Sequence, residues 1–133
     1  KCTPLFFGAG RVTELVAKPL LRMFYPELAR FSQPLSGEIA GLRKIFYKVK
    51  FEEGWGVDVC LLIDLYKLGV KMVERHVGYK DHDMKPLHAL TDMAYQVAEA
   101  ILKRAIEDKV ADKQWAEQYI SSISSIKLGE GYV

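Results

Sequence analysis

The sequence has little cysteine, no apolar run long enough to cross a membrane, almost no net charge and no methionine at its first position. Cys2 and Cys60 are its two cysteines, too few for a disulfide framework. Cys60 falls inside an apolar helical pattern, where a small buried thiol is the ordinary reading, so a reducing, cytoplasmic setting is expected. The apolar stretch from Leu61 to Val70 is broken by Asp64 and Lys67, short of the roughly 18 residues that span a bilayer. Nineteen basic residues against 17 acidic ones leave a formal charge of +2. That balance supplies no basic stripe for a phosphodiester backbone, and nucleic acid is not an expected partner. The chain opens at Lys1 on an apolar, glycine-containing stretch without a signal-peptide charge pattern. A piece of a longer protein is the expectation.

What is present suffices for one domain: 133 residues, 50% hydrophobic and 27% charged, are enough for a single core. Val12, Leu15, Val16, Leu20, Met23, Phe24 and Leu28 recur at helical spacing and predict an amphipathic helix over 13–29, kinked or restarted at Pro19. Turn formers Pro34, Ser36 and Gly37 follow, before a short strand or a turn of helix. Val57, Leu61, Leu65 and Leu68 form one stripe of a helix that Gly69 would cap. The β-branched, mixed-polarity stretch "VKMVERHVGYK" reads as a strand. Pro86 stands where the first turn of a long helix begins, with Leu87, Leu90, Met93, Ala94, Val97 and Ile101 on its face. Trp115, Tyr119, Ile123 and Ile126 mark a last helix over 111–126. The expected class is α+β, dominated by helix.

The polar constellations come before the closing helices. "KDHD" places Asp81 and Asp83 at D-x-D spacing. In an extended segment these two share one face and His82 takes the other, so the three do not readily ligate one ion. Either the aspartates hold a hard cation or His82 alone gives a nitrogen to an ion ligated from elsewhere; a solvated loop explains the stretch as well. His88 lies six residues after His82, off the i, i+4 spacing of paired imidazoles, and His76 has no evident role. "GAGRVTEL" sets Arg11 and Thr13 at an apparent helix start, where backbone N–H groups favour an anion and an arginine can grip phosphate or carboxylate. A glycine turn capped by Thr13, with Arg11 solvated, explains the residues equally well. "GWGVD" puts Asp58 in a helix's first turn, where the helix dipole stabilises a carboxylate, the default reading; the glycines and the adjacent aromatic also suit a sugar hydroxyl. Asp64, inside the same apolar helix, needs a basic or backbone partner if buried.

Taken in order, "GAGRVTELVAKPLL", "QPLSGEIAG", "GWGVDVCLLID" and "VGYKDHDMKPLHAL" resemble the C-terminal part of glucosyl-3-phosphoglycerate synthases and the related mannosyl-3-phosphoglycerate synthases, which are retaining glycosyltransferases of GT-A fold. The resemblance runs from about Gly8 to Ala94. It implies an acceptor-side catalytic portion over 1–85 with a C-terminal helical extension over 86–133 packed on it. It also implies 3-phosphoglycerate or a similar acceptor held by Gly10, Arg11, Val12 and Thr13, and a hexose contacted by Leu35 and Asp58, with Asp58 the catalytic-site acid. His82 would be one ligand of Mg2+ or Mn2+, and Lys80 stands where the family has arginine. Trp55 replaces the usual tyrosine, and Asp58 a frequent glutamate. A nucleotide-sugar donor and an N-terminal half carrying the remaining metal ligands complete what the resemblance implies; self-association through exposed apolar surface is expected whether or not the resemblance holds. Alone, the chain would then have little activity. The rival expectation is a small helical interaction or regulatory domain without catalysis.

Overall fold

A computed structural model describes residues 10–78 and 85–125. The helix that begins after Gly10 runs through a π turn, Thr13–Ala17, into α1, Lys18–Phe24. Proline explains the switch. Pro19 has no N–H to donate and would crowd the carbonyl four residues back. The turn before it widens, with the Lys18 N–H reaching the Thr13 carbonyl five residues earlier, and Pro19 then occupies the first turn of α1. The helix stops short of Ala29 because Tyr25 precedes Pro26 and leaves the helical region at φ −140°, ψ 65°. A 3-10 turn, Leu28–Arg30, follows, and a single helical turn, α2, Arg43–Phe46, stands where strand or helix was open.

α3, Val57–Lys67, is the central element. Val59, Cys60, Leu61, Leu62 and Ile63 are all buried. Five consecutive positions at about 100° each cover the whole circumference of a helix, so α3 is enclosed rather than amphipathic. It ends as expected at Gly69, whose φ is +68°. The Gly69 N–H bonds the Tyr66 carbonyl at 2.9 Å and the Val70 N–H bonds Leu65 at 3.2 Å, the paired bonds of a Schellman ending.

The long helix α4, Thr91–Glu107, follows a 3-10 turn, Leu87–Leu90. Its Val97, Ile101 and Ala105 join Val12, Ala17, Leu21, Leu28, Phe31, Leu62 and Ile63 in one core. α5, Lys113–Ser125, starts later than Ala111, because the Asp112 carboxylate accepts the Trp115 N–H at 2.8 Å as an N-cap.

The expected dominance of helix is borne out, and the strand expected from Val70 is not found: among the described residues no strand forms. Exposure alternates along Lys71, Met72, Val73, Glu74 and Arg75, the period that suggests a strand. A strand needs a ladder partner, and here the stretch is tied by a side chain instead. The Glu74 carboxylate accepts the backbone N–H groups of Ser32 and Gln33 at 2.9 and 3.0 Å. No helix of the described residues is long and apolar enough to cross a membrane.

Candidate functional site

The "GRVT" turn is set by Gly10, whose φ of +72° favours glycine. Its carbonyl accepts the Glu14 N–H at 2.9 Å, the first helical bond, so the N–H groups of Arg11, Val12 and Thr13 form the unbonded first turn of that helix. The side chains of Val12 and Thr13 are buried, at 6% and 4% exposure. Thr13 is inside the helix, not at its cap. Arg11 remains partly exposed, and its guanidinium donates to the carbonyl of Lys85.

Two further segments converge on this turn. A Cβ placed on Gly10 would lie 3.8 Å from both amide heteroatoms of Gln33, so that amide sits beside the turn. Gln33 opens the "QPLSG" loop, which Glu74 holds by its backbone and which buried Pro34 anchors to the core. At the loop's other end, a Cβ on Gly37 would lie 3.8 and 3.9 Å from the two carboxylate oxygens of Asp58. Asp58 is half-buried in the first turn of α3. Three residues earlier, Trp55 is 49% exposed, with the Lys85 ammonium 5.3 Å from its ring centroid, a cation–π distance. Lys85 accepts from Arg11, and the circuit closes: Arg11 and Gly10, Gln33 to Gly37, Asp58 and Trp55, Lys85, Arg11.

The sequence candidates thus separate into groups. Gly10, Arg11 and Asp58 lie on the circuit, Val12 and Thr13 are buried next to Gly10 in the same helix start, and Leu35 lies in the loop between Gln33 and Gly37, packed against the core. His82 lies outside the described residues, as do Lys80, Asp81 and Asp83. Among the described residues no group of three His, Cys, Asp or Glu side chains could hold a metal ion. Gln33, Gly37 and Lys85 are additions that sequence reasoning misses. Lys85 has one available signal, its place immediately before Pro86, which caps the 3-10 turn leading into α4.

Beneath the circuit, the segment carrying Asp58 is clamped from α4. The Arg104 guanidinium, 8% exposed, donates to both Asp64 oxygens at 2.9 and 3.0 Å and to Glu52 at 2.9 Å. Burial disfavours its charge, but the bonds to Asp64 and Glu52 outweigh that and hold its pKa above the ordinary value. The bond from Arg104 in turn lowers that of the Glu52 carboxyl. This supplies the partner that Asp64 requires.

No family model matches the chain. Curated relatives do: it is 48% identical over 99 residues to the glucosyl-3-phosphoglycerate synthase of Petrotoga mobilis, covering 73% of this chain and 30% of the relative. It is 44% identical to that of Mycolicibacterium smegmatis over the same length, covering 73% and 33%. The chain therefore spans about a third of the length of the curated relatives it matches. A solved structure of glucosyl-3-phosphoglycerate synthase from Mycobacterium tuberculosis with Mg2+ and uridine diphosphate superposes with a TM-score of 0.69 at 42% identity, over 75% of this chain and 36% of that one. Another, with Mn2+, uridine-diphosphate-glucose and phosphoglyceric acid, gives 0.66 at 40% identity over the same shares.

Proposed function

We propose that this chain, a homologue of one part of the glucosyl-3-phosphoglycerate synthases, forms the acceptor and hexose side of a site that transfers a hexose from a nucleotide sugar to 3-phosphoglycerate or a similar small anion. The observation that carries this reading is the closed circuit joining the "GRVT" turn, the "QPLSG" loop and the "GWGVD" turn around Arg11, Lys85 and Asp58. At one side it gathers cationic groups and the first-turn N–H donors, which suit a phosphate and a carboxylate. At the other it sets an exposed indole and a carboxylate, which suit the face and hydroxyls of a sugar.

In this reading Arg11 and the N–H groups of Gly10 to Thr13 hold the acceptor's anionic groups. That contact fixes its free hydroxyl opposite the hexose, which rests between Leu35 and Asp58. The transfer breaks the bond from the sugar's anomeric carbon to the diphosphate and forms one to the acceptor oxygen, whose proton passes to the departing diphosphate. The chain spans about a third of the length of these relatives; in this reading the nucleotide pocket lies in the remainder of the protein, and the chain alone should transfer hexose poorly. A divalent cation accompanies uridine diphosphate in the solved relatives named above, and the proposal includes Mg2+ or Mn2+ with His82 as a ligand from this chain. The described residues do not themselves make a cation site, so their proposed work is binding and orientation.

Calorimetry tests the acceptor side. The chain should bind 3-phosphoglycerate with measurable heat, and Arg11→Ala should weaken it by about ten- to a hundredfold, the worth of a charge-assisted contact. A helical interaction domain predicts no heat from either protein, and that result would discard the proposal.

A further inference from the structure

We propose that Gln96, on α4 and outside all four motif blocks, is the positioning residue that presets the hexose-recognising turn. The Gln96 side-chain oxygen accepts the backbone N–H of Trp55 at 3.0 Å. The same oxygen stands 2.4 Å from where a Cβ on Gly54 would lie, and Gly54 has φ +75°, so the turn closes on the glutamine as only glycine allows. One helical turn further along α4, the Ala100 Cβ is 2.7 Å from the position of a Cβ on buried Gly56. A third turn brings Arg104 to Glu52 and Asp64. Gln96, Ala100 and Arg104 are spaced i, i+4, i+8 and make one stripe, and that stripe grips the chain on both sides of Trp55 and Asp58.

The consequence is chemical. Trp55 and Asp58 are the two groups of the circuit suited to a sugar, and both hang from a backbone turn whose N–H is fixed by one uncharged acceptor. A turn held in advance need not be ordered when the hexose arrives, and that saving appears as affinity for the sugar-bearing ligand. Gln96 acts on the Trp55 end of the circuit, so affinity for the anion at the Arg11 end should be independent of it. The inference rests on the proposed function and deepens it, since it assigns the hexose contribution to a particular hydrogen bond.

The test compares two ligands on the 133-residue chain by calorimetry: 3-phosphoglycerate, and glucosyl-3-phosphoglycerate, which carries the same anion plus the hexose. Wild type should bind the glucosylated ligand more tightly. Gln96→Leu should cut that advantage by about five- to tenfold while leaving 3-phosphoglycerate affinity unchanged, and Gln96→Glu, which keeps an acceptor oxygen, should restore it. Gln96→Ala serves the same purpose if the leucine variant does not melt cooperatively. An undiminished advantage in the variants overturns the assignment of Gln96 and leaves the acceptor site standing. Equal losses for both ligands show a merely structural role and also overturn it. Absence of binding by wild type to either ligand removes the proposed function and this inference together.

Discussion

Asp64 shows how much a single residue type can disclose through its neighbours in the chain. A carboxylate in the middle of an apolar helix demands a partner, and Arg104 meets it, 40 positions away. The need is legible in the sequence and the partner is not, because nothing local marks one arginine of α4 as inward-facing. Gln96 is the harder case: a glutamine on a helix looks like ordinary surface, and its proposed role depends on two glycines in a distant turn. Cys60 is the buried thiol that its apolar setting predicts. Burial pushes it from an ordinary 9.0 up to about 11, which alone cuts its thiolate share about a hundredfold. In a Cys2→Ser background, Cys60 should therefore react with a disulfide reagent at pH 8 at least about a hundredfold more slowly in buffer than in denaturing urea. Equal rates would contradict its burial. The sign for stability follows: the thiol costs the fold nothing below an ordinary 9.0, and stability falls above it as the unfolded chain ionises first.

Among elements, chain punctuation is more legible than extended structure. Gly69 ends α3 as its position announces, and Pro19 alters its helix where expected, though as a widened turn rather than a bend. Pro26 carries an equal signal, which the apolar periodicity masks. The stretch 70–78 has the pattern of a strand without being one, because alternation records facing, not pairing, and the groups it satisfies belong to the loop at Ser32 and Gln33. α4 ends in the same paired bonds as α3, but with Lys109 at φ 57° in the glycine position. Lys109→Gly should raise stability by up to about 1 kcal/mol in urea denaturation, since a side chain in that conformation is strained. A loss of stability would show that the unfolded-state entropy of glycine outweighs the strain. The clamp on α3 makes a second prediction. Arg104→Met should cost about 3 kcal/mol by leaving Asp64 unpaired, and adding Asp64→Leu should recover most of it. Lowering the pH below the ordinary carboxylate range should weaken the clamp in the same direction, because Glu52 is held low only while charged against Arg104.

For the whole molecule, the order of four short motifs indicates a family, and relatives at 48% and 44% identity bear that out. The motifs are far apart in sequence, and their described parts come together in the fold. α3 passes through the core, α4 braces it, and the segments at 10–13, 33–37, 54–58 and 85 meet at one end. Spacing could not reveal that meeting, since it depends on how α4 packs across the start of α3. The claim that these segments form one ligand site is tested most directly by backbone amide chemical shifts of the labelled chain titrated with 3-phosphoglycerate. The account predicts saturable shifts confined to Gly10–Thr13, Gln33–Gly37, Trp55–Asp58 and Lys85, abolished by Arg11→Ala. Shifts centred on α5 or the outer face of α4, or none at millimolar ligand, would contradict it.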